Sequence, residues 1–135
     1  MPASWPIENL PGIDAEHCAK LMGCGITTTA HLLRYRVSHQ QRSLAARLRV
    51  HPQYLAKWIA LADLAQLPAV GCQYCGLLLH AGITSPQQLA ATPLGRLHRQ
   101  LVKLHVATLQ NRQNCPSLSE VQRWIQQAQS FTQRY

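Results

Sequence analysis

A 24-residue stretch, Leu10–Leu33 (LPGIDAEHCAKLMGCGITTTAHLL), returns 57 positions later as Leu67–Ala90 (LPAVGCQYCGLLLHAGITSPQQLA). Eight positions are identical, among them Leu10, Pro11, Cys18, Leu21, Gly25 and Ile26 with their counterparts Leu67, Pro68, Cys75, Leu78, Gly82 and Ile83. Farther on, Trp58-Ile59-x-x-Ala62 reappears as Trp124-Ile125-x-x-Ala128, at an offset of 66. The second copy is therefore longer, and Gln110–Ser117 (QNRQNCPS) is a loop-like place for the extra residues. Self-similarity at this period predicts a duplicated structural unit of roughly 60 residues. The copies are expected over 4–63 and 64–131, joined near Asp63–Leu67, within one domain spanning 1–135.

The unit is helical. Val, Ile, Thr, Tyr and Phe are sparse and do not alternate, whereas Leu, Ala, Gln and Arg dominate, and these favour helix over strand. Ser38 with Gln41, Ser85 with Gln88, and Ser117 with Glu120 fit a hydroxyl N-cap answered three residues later by Glu or Gln. Pro52, Pro86 and Pro93 suit first helical positions. Helices are expected near 4–10, 14–23, 28–36, 39–49, 52–66, 72–81, 86–91, 93–108 and 118–131. No apolar run approaches the ~20 residues of a membrane span, and no secretory leader is evident. Five cysteines form no disulfide framework. The expectation is a cytoplasmic all-α protein.

In each copy, Leu-Pro-x-(Ile/Val)-x, a short helix and then Gly-Ile-Thr resemble a helix-hairpin-helix motif, over about 7–33 and 64–90. Leu10 and Ile13, like Leu67 and Val70, would plug the hairpin into the core. Gly25 and Gly82 are placed to end a helix in the left-handed conformation, with Thr27 and Ser85 capping the next. Together with the Trp-Ile-x-x-Ala segments, nearly all of 5–131 is similar to a family of tandem helix-hairpin-helix proteins common in cyanobacteria. The resemblance implies two hairpin units about a pseudo-two-fold, in a SAM-like helical architecture. In DNA-binding members of the wider superfamily, the hairpin turn offers backbone amides and the positive end of a helix dipole to a phosphate. Hairpin one departs from that pattern, with Asp14 at the second glycine position and Glu16 where a basic residue would help. Hairpin two keeps Gly71, so amides around Ala69, Gly71 and Cys72 could hold an anion.

The charge is lopsided. The protein has 13 Lys and Arg against 5 Asp and Glu, and Asp63 is the sole acid between His17 and Ser119. Arg34, Arg36, Arg42, Arg47, Arg49 and Lys57 fall in 24 residues without a carboxylate. On the helix near 39–49, Leu44, Ala45 and Leu48 would face the core and leave Arg42, Arg47 and Arg49 to water. A later helix repeats the arrangement more weakly, with Leu97, Leu101, Leu104 and Leu109 inward and Arg96, Arg99 and Lys103 outward. An ordinary solvated surface would intersperse acids among such residues. The uncompensated field suits nucleic-acid phosphates or an acidic protein partner. Aromatic residues that could stack on a base are scarce near the stretch, Tyr35 and Tyr54 being the candidates, so the sequence gives single-strand readout little support.

Chemistry finds little to work with. Cys72-Gln-Tyr-Cys75 lies at a helix start, where amides could lower a thiol pKa, but no βαβ context or second metal-spaced pair accompanies it. Cys18 and Cys75, equivalent in the repeat, read as small core residues, and Cys115 falls in the loop. His17, His31, His39, His51, His80, His98 and His105 are scattered, without a paired ligand or carboxylate orienter. Neither a metal nor a cofactor is expected, and the chain reads as no enzyme. Trp58 and Trp124 read as core anchors, or as interface hot spots. The expected function is non-specific nucleic-acid binding through the phosphate backbone. The competing expectation is an adaptor or assembly factor that docks an acidic partner, its hairpins purely structural. A thiol sensor at Cys72 and Cys75 is the third.

Overall fold

A computed structural model describes residues 3–109 and 116–134. All regular structure in these residues is helical: a 3-10 turn at Ile7–Asn9, then α1 (Ala15–Gly23), α2 (Thr29–Leu33), α3 (Ser38–Leu48), α4 (Pro52–Ala65), α5 (Gly71–His80), α6 (Pro86–Ala91), α7 (Leu94–Leu109) and α8 (Leu118–Arg134). The expected helix over 4–10 shrinks to the single 3-10 turn, because Pro6 and Trp5 are drawn into an isolated bridge and hydrogen bonds with Thr28 and Thr29. Most of Gln110–Ser117, with Cys115, lies outside the described residues. Among the described residues, no helix is long and apolar enough to cross a membrane.

The chain forms two compact units, Met1–Gly76 and Leu77–Tyr135. Their division falls inside α5, beyond the join expected from the repeat. In the first unit, α2 and α3 pack on α4, and α1 packs on the 3-10 turn. Helix α4 buries Leu55, Trp58, Ile59, Leu61, Ala62, Leu64 and Ala65, so water reaches little more than its first turns. In the second unit, α6 and α7 pack on α8, which buries Val121, Trp124, Ile125 and Ala128. Each Trp-Ile-x-x-Ala segment thus lies on the helix that organises its own unit. Trp58 and Trp124 are 2% and 1% exposed and act as core anchors. A buried Trp contributes several kcal/mol through area and packing, on the order of 3–5 kcal/mol when truncated.

Local turn chemistry repeats between the units. Helix α1 ends through Gly25 (φ +81°), with the Ile26 amide donating to Leu21 O at 3.0 Å. Helix α5 ends through Gly82 (φ +92°), with the Ile83 amide donating to Leu78 O at 3.0 Å. This six-to-one bond needs a left-handed residue, which glycine supplies without a Cβ clash. The following helix is capped by Thr28 in one unit and Ser85 in the other, accepting from the amides of His31 and Gln88. Thr28, rather than the expected Thr27, is the first-unit cap. Thr27 instead sits one residue earlier, its amide donating to His31 Nδ1 at 3.3 Å, just as the Thr84 amide donates to Gln88 Oε1 at 3.0 Å.

The other caps divide. Ser117 and Glu120 form the reciprocal box, at 3.2 and 3.3 Å. Ser38 does not cap: Val37 holds the N-cap position, and the Gln41 side chain donates to Arg36 O at 2.7 Å. Pro93 stands one residue ahead of α7 rather than inside it, while Pro52 and Pro86 hold first positions as expected. Leu10, Leu67 and Val70 are buried plugs, whereas Ile13 is half-buried.

Candidate functional site

The turns that precede α1 and α5 begin their helices differently. Asp14 caps α1, accepting from the His17 amide at 2.8 Å. That bond, followed by the charge of His17, holds the exposed Asp14 carboxyl below its ordinary value. A carboxylate therefore stands at the first-turn amides of α1. At the start of α5, Gly71 takes φ +55°, and a Cβ there would meet Trp5 Cζ2 at 3.3 Å. The Trp5 ring thus lies against the turn, fixed by its Nε1–H donating to Ala65 O at 2.7 Å. The Val70 and Gly71 amides both donate to Leu67 O, at 2.9 and 2.8 Å, which leaves those of Cys72 and Gln73 as first-turn donors. Cys72 and Gln73 line a pocket of about 400 Å³ together with Trp5, Asn9 and Pro68. Ala69 and Cys72 are half-buried and Gly71 is buried.

Trp5 was not legible as part of this turn. It precedes the matched stretch Leu10–Leu33, and the position 57 residues on is Ala62, so periodicity gives it no position. Its placement rests on bonds between residues far apart in the chain: Ala3 N–H to Gln66 O at 2.8 Å, Trp5 N–H to Thr29 Oγ1 at 3.0 Å, and Thr29 N–H to Trp5 O at 2.8 Å.

The basic residues are on the surface. Arg34, Arg36, Arg42, Arg47, Arg49 and Lys57 are all exposed in the first unit, as are Arg96, Arg99 and Lys103 in the second. Leu44, Ala45 and Leu48 are buried, the inward face the pattern requires. Arg36 stands 3.5 Å from Asp63, while Lys20 reaches Glu16 at 3.9 Å. Among the described residues, Arg34, Arg42, Arg47, Arg49 and Lys57 have no carboxylate within ion-pair distance. They do not form one row. Arg42 and Arg47 are five residues apart, about 140° around an α-helix axis, so they flank the solvent side of α3 from opposite edges. In the second unit Arg96 lines a separate pocket of about 340 Å³ with Gln88, Thr92 and Gln100. The Leu109 side chain lies outside the described residues, and Leu104 is half-buried beside the buried Leu97 and Leu101.

Asp63 is the acid that answers this field, and burial is the largest influence on its carboxyl. Desolvation raises its carboxyl above the ordinary value. The attraction of Arg36 opposes that shift without overcoming it, because the guanidinium is itself half open to solvent at the long distance of 3.5 Å. The carboxylate also accepts from Gln66 Nε2 at 2.6 Å, which explains how Gln66 is buried without an orphaned amide.

The thiols are not activated. Burial pushes the Cys72 thiol up, and burial together with the neighbouring Cys72 pushes Cys75 up to about 12. The expected helix-start activation is outweighed because the side chains turn inward. Cys18 and Cys75 are both buried, as core residues would be, and Cys24 and Cys72 are half-buried free thiols. Among the described residues, no group of three His, Cys, Asp or Glu side chains is placed to hold a metal.

Histidines near the turns have specific partners instead. His51 caps α4, its Nδ1 accepting from the Gln53 amide at 3.1 Å. His17 Nδ1 lies 2.9 Å from Asp14 Oδ1, and its ring stacks on Tyr54 with centroids 6.5 Å apart and planes at 25°. The same ring is tilted against Trp58 at 5.3 Å.

Compared with known proteins, residues 11–131 match the family model described as Domain of unknown function (DUF4332). No curated protein and no solved structure matches the chain.

Proposed function

Since the chain belongs to the DUF4332 family, a domain of unknown function, its own residues must carry the reading, and we propose a non-catalytic protein that binds nucleic acid non-specifically through the phosphate backbone. The observation that carries this is the set of five exposed cations, Arg34, Arg42, Arg47, Arg49 and Lys57, without carboxylate partners among the described residues. Guanidinium groups pair with phosphate oxygens bidentately, and such contacts give affinity without sequence selection. Wrapping the solvent side of α3 suits a flexible or curved polyanion better than a flat one. Arg96, Arg99 and Lys103 supply a second basic set. Reading each unit as a copy of one helix-hairpin-helix unit belongs to the same proposal. Its support is the matching pairs at an offset of 57: Gly25 with Gly82, Thr28 with Ser85, and His31 with Gln88. The pseudo-two-fold pairing expected of such copies stands with it as a proposal.

Mobility shifts at about 50 mM salt test the reading. Duplex binding is expected to weaken with salt at a log–log slope of about −0.9 per phosphate neutralised. Arg42→Glu combined with Arg47→Glu is expected to abolish the complex. Failure of the wild type to bind duplex, single-stranded DNA or RNA overturns the proposal.

One observation favours a second reading, an adaptor docking an acidic protein. The Asp14 carboxylate at one hairpin turn and the Trp5 ring at the other restrict both against phosphate. Hairpins of this kind serve as architecture, and the same cations then meet carboxylates. A pull-down that retains its partner after nuclease treatment and loses it at high salt supports the adaptor.

A further inference from the structure

We infer that the corner joining α3 to α4 is a binding site for single-stranded nucleic acid, where Tyr54 stacks on an unpaired base and Arg49 and Lys57 hold the neighbouring phosphates. The inference rests on the proposed nucleic-acid reading and narrows its ligand to unpaired strands.

Three features of the corner support it. Tyr54 is 58% exposed, the most open large apolar side chain among the described residues. It is also braced: His17 stacks beside it at 6.5 Å, and His17 is itself fixed by Asp14 at 2.9 Å and by Trp58 at 5.3 Å. A ring already held by its neighbours loses little freedom when a base settles on it. Stacking of this type tolerates any base, because every base has a π-face. The faces of paired bases in a duplex are covered by their neighbours, so the ring has a partner only in an unpaired strand.

Arg49 is the second feature. It ends α3 at φ 57°, ψ 43°, with its own amide donating to Ala46 O at 3.2 Å and the Val50 amide to Ala45 O at 3.1 Å. The corresponding position after α1 is Gly25, and after α5 it is Gly82. Glycine is the residue this left-handed conformation favours, and a β-carbon there is strained. The chain carries arginine instead, with its side chain exposed. Its cation is thereby held at the exposed end of α3, without a carboxylate at ion-pair distance among the described residues, where it can meet a phosphate.

Lys57 is the third, one turn beyond Tyr54 on α4 and exposed like it. Spacing of three residues puts the ammonium and the ring side by side on the helix surface. Asp14, the carboxylate of this cluster, is engaged by His17 and by an α1 amide.

The test is fluorescence anisotropy with a labelled oligothymidine and with a hairpin duplex of equal charge, at about 50 mM salt. Tyr54→Ala is expected to lower single-strand affinity by roughly 5- to 100-fold while leaving duplex affinity unchanged, and Tyr54→Phe is expected to retain it. Arg49→Gly is expected to weaken single-strand binding without lowering the melting temperature. Photocrosslinking of a 5-iodouracil strand to the unaltered protein is expected to mark Tyr54, and this readout needs no variant to fold. If Tyr54→Ala binds the single strand as the wild type does, while Arg42→Glu with Arg47→Glu weakens it, stacking is refuted and the basic-face reading survives. A crosslink confined to Tyr35 refutes the site in the same way. If the wild type binds neither strand type, both readings fall together.

Discussion

Asp14 and Gly71 hold equivalent places in the repeat, 57 residues apart, and start their helices in opposite ways. Asp14 closes α1 with a carboxylate in extended backbone, whereas Gly71 opens α5 in the left-handed region beneath the ring of Trp5. One side chain therefore decides which of the two helix starts keeps a negative charge at its amides.

The Asp14 cap makes a signed prediction about acid. Its folded value lies below 3.8, so the folded protein holds fewer protons there than the unfolded chain. The contribution is present above the ordinary value and is lost as pH falls through the lowered one. Asn also caps well, so Asp14→Asn is expected to remove this acid sensitivity while keeping α1. Melting curves between about pH 2 and 5 check it, and identical acid slopes for the two proteins would refute it.

Asp63 predicts the reverse. Its folded value lies above 3.8, so its favourable contribution is present below that value and is lost as pH rises through the raised one. Asp63→Asn keeps an acceptor for Gln66 and Arg36 without the cost of a buried charge. Relative to wild type, the variant is expected to gain stability progressively as pH rises above the ordinary carboxyl range. Urea midpoints at several pH values measure this.

Trp5 and Gly71 should be energetically coupled. Gly71→Ala forces a β-carbon into φ +55° and to 3.3 Å from the ring, and a cost of about 1–2 kcal/mol is expected. Trp5→Phe loses the bond to Ala65 O, worth about 1 kcal/mol. With the ring cut back by Trp5→Ala, the Gly71→Ala penalty is expected to shrink to the backbone strain alone. A double-mutant cycle reads the difference, and strict additivity would show that the ring does not press on the turn.

His31 and Gln88 are alternative answers to one problem, an acceptor for the threonine that precedes a short helix. His31→Gln is therefore expected to be nearly neutral. His31→Ala should cost about 0.5–1 kcal/mol, since the Thr27 amide loses its partner. Thermal melts of the two variants decide the matter.

The thiols supply a chemical check. With Cys75 buried and raised to about 12, it is expected to resist a thiol-specific reagent at pH 8 until the protein unfolds. Mapping labelled peptides should show Cys24 modified ahead of it. Rapid native labelling of Cys75 would contradict the packing of α5.

Much of the fold was legible from local rules. Helix existence, the left-handed turns at Gly25 and Gly82, the inward set Leu44, Ala45 and Leu48, and the buried Trp58 and Trp124 all follow from periodicity, cap chemistry and repetition within a few residues. The exposure of the basic residues followed from the same inward set, because a helix that buries one face presents the other. By itself, then, the sequence determined an all-helical chain with a largely uncompensated cationic surface. Tertiary structure alone decided that Trp5 covers Gly71, that burial raises the Asp63 carboxyl, that the Cys75 thiol is silenced, and that His17 braces Tyr54. Those facts depend on which atoms meet across many residues of chain, as the 60 between Trp5 and Ala65 illustrate. Burial and ring contact belong to such meetings, and no local pattern contains them.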